Sequence, residues 1–203
     1  MMYFISRIVY KIILTLFFKF KVVGRENIPR KGPFIMVANH MSYVDPAVMG
    51  VACNTVPISF LAKKELGNIS FLGAWCKSVG CIFVDRDSGR SGPLKKALGV
   101  LKEGKALGIF PEGMRSLDGN LQKAKPGIGI IVAKSGVPVI PMYISGTAKA
   151  LPRGKKIFRP SRIRARIGKP IDIGGSYGIG EKRKLYEFIG DRIMNAISSI
   201  RHE

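Results

Sequence analysis

The segment 39-NHMSYVDP-46 sets a histidine and an aspartate five positions apart, between an apolar run and a proline. An imidazole beside a carboxylate is a pairing suited to general acid–base chemistry. The carboxylate holds one ring nitrogen, and the other accepts a proton from a nucleophile. The chain has two histidines, and the second, His202, lies in the C-terminal tail. His40 is therefore the one imidazole available in the body of the protein. On a regular helix a five-residue spacing would turn the two side chains about 140° apart. They meet only if residues 39–44 form a turn. Pro46 favours this, because it disfavours helical backbone at Asp45 and suits the start of a helix. Two readings fit the stretch on its own. In one, His40 and Asp45 form a dyad. In the other, Asp45 is the N-cap of a helix over residues 46–53 and His40 is a hydrogen-bonded turn residue. The two roles of Asp45 are compatible, since a carboxylate has two oxygens. Ser42 is near, but it equally suits stabilising the turn. With no other protein nucleophile in view, a dyad would act on a substrate hydroxyl.

A second constellation is 110-FPEGMRS-116, placed after an apolar run. Gly113 permits a tight approach, and Arg115 offers a planar fork to phosphate. Glu112 either orients that arginine or accepts a hydrogen bond from a substrate hydroxyl. The plain alternative is a turn with a structural ion pair. Two further segments carry charge after apolar runs: 80-GCIFVDR-86, with Asp85 and Arg86, and 62-AKKEL-66, with Lys63 and Lys64.

These segments need elements to position them. Short apolar runs at 21–24, 34–38, 59–62, 82–84, 106–110, 139–144 and 163–167 read as strands, most of them buried on both faces. Helical stretches lie between them at 46–53, 69–79, 93–103 and 128–134, with a final amphipathic helix over 181–200. This alternation predicts an α/β fold, a largely parallel sheet flanked by helices. Strand ends in such folds are where sites form. The basic stretch 152–170 reads as an exposed loop followed by an edge strand with Arg162, Arg164 and Arg166 facing outward. It is either a solvated face or a contact for headgroups or a carrier protein.

The first twenty residues look apolar enough for a membrane span, but their pattern is that of one helical face. Ile5, Ile8, Val9, Ile12, Ile13, Leu16, Phe17 and Phe20 recur at spacings of three and four, while Arg7, Lys11, Thr15 and Lys19 fall elsewhere. Charges interrupt the stretch well short of the roughly 20 apolar residues that a span needs. An amphipathic membrane-interface helix over 1–20 is expected, ahead of an α/β domain over 21–203. Packing of that helix on the domain is the alternative.

Lys and Arg number 34 against 13 acidic residues, a net charge of +21. That favours anionic partners: a lipid surface, phosphorylated substrates, an acidic carrier protein or nucleic acid. Nucleic acid fits least, because no aromatic–basic platform or known module accompanies the charge. The segment 99-GVLKEGKA-106 matches a phosphate-loop spacing, but Ala106 stands where a Ser or Thr is needed, and the helix precedes the strand. Two histidines leave no histidine cluster for a metal. Three cysteines, Cys53, Cys76 and Cys81, lie among apolar residues and are expected to be buried packing residues.

Taken together, 39-NHMSYVD-45, 80-GCIFVDR-86, 110-FPEGMRS-116 and 137-VPVIPMYI-144 stand in a familiar order. The chain resembles the glycerolipid acyltransferases with an HX4D motif, the bacterial 1-acyl-glycerol-3-phosphate acyltransferases in particular, over about residues 24–169. The resemblance implies His40 as the acid–base residue and Asp45 as its partner. It implies recognition of glycerol phosphate by Arg86 and by the turn Glu112, Gly113, Met114 and Arg115, with Lys64 as a further phosphate ligand. The implied reaction moves a fatty acyl group from acyl-CoA or an acyl carrier protein to the sn-2 hydroxyl of lysophosphatidate, giving phosphatidate for phospholipid biosynthesis. It needs no bound cofactor and no metal. The implied partner is an anionic membrane surface and not nucleic acid. The implied location is the cytoplasmic face of the cell membrane, as a peripheral or monotopic protein. Glycerol 3-phosphate or another lysophospholipid as acceptor, and a non-catalytic basic membrane-surface protein, are the alternatives. One departure stands out: Met114 replaces the threonine usual in the family. Longer relatives also have two helices before the first strand, where one is expected here.

Overall fold

The computed structural model describes residues 1–85, 91–155, 157–173 and 181–201. Seven strands form one sheet: β1 Lys21–Val23, β2 Ile35–Ala38, β3 Ile58–Lys63, β4 Cys81–Val84, β5 Ala106–Ile109, β6 Val139–Ser145 and β7 Arg164–Ile167. Their order is β1-β7-β6-β2-β5-β3-β4. All neighbours pair in parallel except β6 with β7. The largely parallel sheet expected from the alternation of elements is therefore present.

The helices are α1 Met2–Phe18, α2 Asp45–Ala52, α3 Lys64–Gly67, α4 Ser70–Ser78, α5 Ser91–Lys102, α6 Pro126–Ser135, α7 Thr147–Ala150 and α8 Lys182–Ser199. They divide the core into two layers. On one face of the sheet, Leu14 and Phe18 of α1 and Val48 and Met49 of α2 pack against Phe34, Met36 and Ala38. On the other, Ala97 of α5, Ile131 of α6 and Ile193 of α8 pack against Ile35 and Val37. Strand β2 thus feeds alternate side chains into two cores, which is why its sequence is apolar throughout rather than alternating.

Two short helices, α3 and α7, lie outside the elements expected from periodicity. Four residues carry no amphipathic period, so tertiary contacts alone place them. A larger difference concerns β7. It is not an edge strand, because β1 pairs along its outer side, Lys21 opposite Arg164 and Val23 opposite Arg166. Arg164 is exposed and Arg166 half-buried, while Ala165 and Ile167 turn into the core. The cysteines also differ from expectation in one case. Cys53 and Cys76 are buried, but Cys81 is only half-buried, since it lies on β4 at the end of the sheet. Burial pushes its thiol up to about 12, which makes it a poor nucleophile.

The helix α1 joins the domain through a face other than its regular apolar stripe. Leu14 and Phe18 are buried, Tyr10 packs tilted against Trp75 with ring centroids 5.6 Å apart, and the Trp75 indole N–H donates to Ser6 Oγ at 3.0 Å. Ile58 N–H donates to the Tyr3 hydroxyl at 3.1 Å. Ile5, Ile8, Val9, Ile12, Ile13 and Leu16 remain exposed.

Helices α6 and α8 cross where Gly129 meets the backbone of Tyr186, and a Cβ on Gly129 would run into the Tyr186 carbonyl. Gly129→Ala should therefore force the helices apart and cost about 1–3 kcal/mol, read as a lower denaturation midpoint. Gly127→Ala, on the same helix with open space around it, should be neutral or slightly stabilising in the same measurement.

Candidate active site

Strand β2 lies between β5 and β6 and delivers the chain to the end of the sheet at Ala38. Asn39 then carries the pairing one step further with its side chain. Its amide donates to Ile144 O at 2.9 Å and its carbonyl accepts from Ile144 N–H at 2.7 Å. The backbone is released to turn, and Asp45 closes that turn. One oxygen, Asp45 Oδ2, accepts from Met41 N–H at 2.6 Å and Ser42 N–H at 2.7 Å, and lies 2.8 Å from His40 Nδ1. Asp45 is fully buried, and Oδ1 has no partner among the described residues. The carboxylate faces back into the turn rather than forward onto the N–H groups of α2, so the helix-cap reading does not describe it. Ser42 Oγ donates to Leu151 O at 2.9 Å, a structural role directed away from His40.

An oxygen that already accepts two N–H bonds also accepts the third, so Nδ1 carries the hydrogen and Nε2 keeps its lone pair. The ring plane is fixed as well. His40 stacks on Phe110 with centroids 4.1 Å apart and planes 17° apart. Phe110 in turn lies parallel to Phe60, with centroids at 6.5 Å. The His40 side chain remains 17% exposed, enough for one edge to meet a ligand.

Strand β5 pairs in register with β2, Val37 opposite Ile109, so the turn after β5 arrives beside the His40 turn. Ser116 N–H donates to His40 O at 2.8 Å and joins the two. Glu112 points inward and is 1% exposed. Burial pushes its carboxyl up to about 7; backbone N–H groups of Gln122 and His40 pull it down, and the charge of Asp45 adds a smaller upward push. Gly113 turns with φ of 71° and its N–H donates to Phe110 O at 3.0 Å. Arg115 faces outward, its guanidinium carbon 3.6 Å above the Tyr43 ring, and its carbonyl accepts from Arg153 Nη1 at 3.2 Å. No ion pair joins Glu112 to Arg115. The acid is drawn into the core and the base to the surface, so the ion-pair reading of this turn is set aside.

The next strands along are β3 and β4, with Lys63 opposite Val84. Lys64 begins α3, and its Nζ lies 3.7 Å from Asp85 Oδ2 in an exposed pair. Such a pair is weak and readily exchanged for another anion. Arg86 lies outside the described residues. The structure thus joins His40, Asp45, Glu112, Gly113 and Arg115 in two adjoining turns, and puts Lys64 two strands from His40 across β5. Among the described residues no group of three or more His, Cys, Asp or Glu side chains is arranged to hold a metal. Phe110, Tyr43 and Asn39 are the site residues that motif reading passed over. All lie inside the quoted segments, but their roles depend on strand register, which spacing alone does not reveal.

The raised carboxyl of Glu112 has a consequence for stability. Below about pH 4.5 the group is protonated in both folded and unfolded chains and carries no penalty. Between about 4.5 and about 7 the unfolded chain releases its proton while the folded chain holds it, so stability falls as pH rises. Glu112→Gln should therefore gain stability relative to the parent over that window, by at most about 3 kcal/mol above pH 7. Denaturation midpoints of both proteins at pH 5 and pH 8 check this; a gap that does not change with pH contradicts it.

Residues 19–145 match the family model described as Acyltransferase. The chain is 30% identical over 175 residues to the 1-acyl-sn-glycerol-3-phosphate acyltransferase of Bacillus subtilis, covering 86% of this chain and 85% of that one. It is 32% identical over 173 residues to a chloroplastic 1-acyl-sn-glycerol-3-phosphate acyltransferase of Arabidopsis thaliana, of which it spans about half, 48%. Among solved structures, the 1-acyl-sn-glycerophosphate acyltransferase PlsC of Thermotoga maritima superposes with a TM-score of 0.79 at 30% identity, covering 98% of this chain and 79% of that one. The matched region contains both turns of the site, and the chain belongs to the acyltransferase family.

Proposed function

We propose that the protein is a 1-acylglycerol-3-phosphate O-acyltransferase, which moves a fatty acyl group from an acyl thioester to the sn-2 hydroxyl of lysophosphatidate and gives phosphatidate. The observation that carries this reading is the His40 ring, held by Asp45 through Nδ1 so that Nε2 is left for a substrate, beside a turn that presents Arg115. Relatives named for this reaction support the choice of acceptor.

In the proposed step, Nε2 of His40 takes the proton of the sn-2 hydroxyl as its oxygen attacks the thioester carbonyl carbon. The tetrahedral intermediate collapses, the C–S bond breaks, and the imidazolium returns the proton to the departing thiolate. Asp45 stabilises the imidazolium and holds the ring. Arg115 and Lys64, with Arg86 by resemblance, bind the phosphate and so place the hydroxyl. Lys64 would exchange Asp85 for that phosphate. Gly113, exposed and without a side chain, lets the phosphate approach the turn. Glu112 ties the two turns through the N–H groups of His40 and Gln122. Met114, half-exposed beside Arg115, takes the place of a hydroxyl and bears on acceptor preference.

The donor is acyl-CoA or an acyl carrier protein, bound as a co-substrate. The proposed location is the cytoplasmic face of the cell membrane. Among the described residues no helix is long and apolar enough to cross a membrane. The exposed stripe of α1 instead suits burial at the acyl–headgroup boundary, with residues 1–20 as the interface element and 21–203 as the catalytic domain. A net charge of +21 favours an anionic surface.

Phosphatidate formation from lysophosphatidate and an acyl thioester in anionic vesicles tests the reading. His40→Ala, if folded, should lose about 10²-fold or more of the parent's turnover; equal turnover would overturn the mechanism. Arg115→Ala should act chiefly on KM for lysophosphatidate, raising it about tenfold through one lost charge-assisted phosphate contact. A fall in kcat alone would remove Arg115 from ground-state phosphate binding.

A further inference from the structure

The loop between α7 and β7 exposes two large apolar side chains among cations. Ile157 is 79% exposed and Phe158 55% exposed, with Arg153, Lys155 and Arg159 close by in sequence. In water most of this apolar surface is left unburied. It suits a bilayer, where apolar tips enter the acyl boundary and cations meet anionic headgroups.

The fold places this loop beside the site. Strand β7 runs antiparallel to β6, Ser145 opposite Arg164, so the loop lies at the end of the sheet from which the His40 turn emerges. The C-terminal end of α1 is there too: Ile163 N–H donates to Phe18 O at 2.9 Å, and the rings of Phe18 and Phe158 are 5.9 Å apart. Beyond Phe18's buried ring, Leu16 and Phe17 are exposed. The loop therefore meets α1 at the end of the helix that carries Leu16 and Phe17. The loop also touches both site turns, since Leu151 O accepts from Ser42 Oγ and Arg153 donates to Arg115 O.

We infer that the Ile157–Phe158 loop is a second membrane-contacting element, which seats the mouth of the site in an anionic bilayer and braces the Arg115 turn against it. The inference rests on the membrane reading of α1 above. An acidic carrier protein would also meet the cations, but it would leave the adjoining apolar tips and the exposed end of α1 without a common partner.

The test uses the full chain and vesicles of phosphatidylcholine with or without phosphatidylglycerol. Sedimentation reads partitioning with no turnover required, so the result stands even if the acyl-transfer reading fails. Ile157→Ser with Phe158→Ser should weaken partitioning into the anionic vesicles about tenfold or more. Turnover of vesicle-borne lysophosphatidate should fall with it, while turnover of a monomeric short-chain lysophosphatidate stays as in the parent. Leu16→Ser with Phe17→Ser is the parallel variant in α1. If only the α1 variant loses partitioning, the loop is overturned and the α1 reading stands; if neither does, both fall. Loop variants that bind vesicles normally but lose an acidic acyl carrier protein would also overturn it. Ile157→Trp guards against misfolding of the double variant: its added fluorescence should be quenched by lipids brominated in the upper acyl chain. Absence of that quenching on bound protein contradicts the proposal.

Discussion

Three donors within the five residues before it converge on a single oxygen, Asp45 Oδ2, and the shape of the site follows from that convergence. The two backbone bonds from Met41 and Ser42 force the chain into a turn. The third bond, from His40 Nδ1, needs that turn to exist. A buried carboxylate taken out of water carries a large desolvation cost, which only several well-aligned donors can offset. The same bonds that make Asp45 tolerable inside the protein thus hold the imidazole in one tautomer and one orientation. Stacking on Phe110 removes the remaining freedom of the ring. The orientation that acid–base chemistry would require and the satisfaction of the buried carboxylate are here one set of contacts.

The parallel sheet supplies what the turn cannot. Neighbouring parallel strands all end on one side, so the segments after β2, β5, β3 and β4 are brought together although they lie far apart in sequence. The buried Glu112 and the half-buried, outward-facing Arg115 show how one short turn serves two surroundings. Glu112 accepts from the backbone N–H groups of Gln122 and His40, and the Arg115 guanidinium sits over the Tyr43 ring. A pair read as complementary charges in sequence is separated by the direction in which each side chain leaves the turn. The loop carrying Ile157 and Phe158 closes the same end of the sheet and links it to α1.

Much of this was legible in the residues, and the limits have physical causes. The strands were readable because each is a short apolar run between turn residues, and the buried alternation of β2 into two cores explains that run. The His40–Asp45 contact was readable because Pro46 leaves a turn as the conformation that lets the two meet. The role of Asp45 toward its own turn, rather than toward α2, was not, since both uses call for the same residue in the same place. The stripe of α1 was visible, but the docking face built from Tyr3, Tyr10, Leu14 and Phe18 lies off that stripe, where apolar residues alternate with polar ones and show no separate period. The position of β7 inside the sheet, covered by β1, depends on long-range pairing that local pattern does not encode. Arg86, which the resemblance implies, lies outside the described residues.

The tautomer of His40 is the most direct test of the central claim, that a carboxylate-locked imidazole presents Nε2 as the base. Two-bond proton–nitrogen correlation spectra of the folded protein, with His40 assigned against His40→Ala, distinguish the two ring nitrogens. At a pH where the ring is neutral, the account predicts a protonated, pyrrole-type Nδ1 and a lone-pair-bearing, pyridine-type Nε2, with Asp45→Asn eroding that preference. A ring protonated at Nε2, or an even mixture of tautomers unaffected by Asp45→Asn, would contradict it.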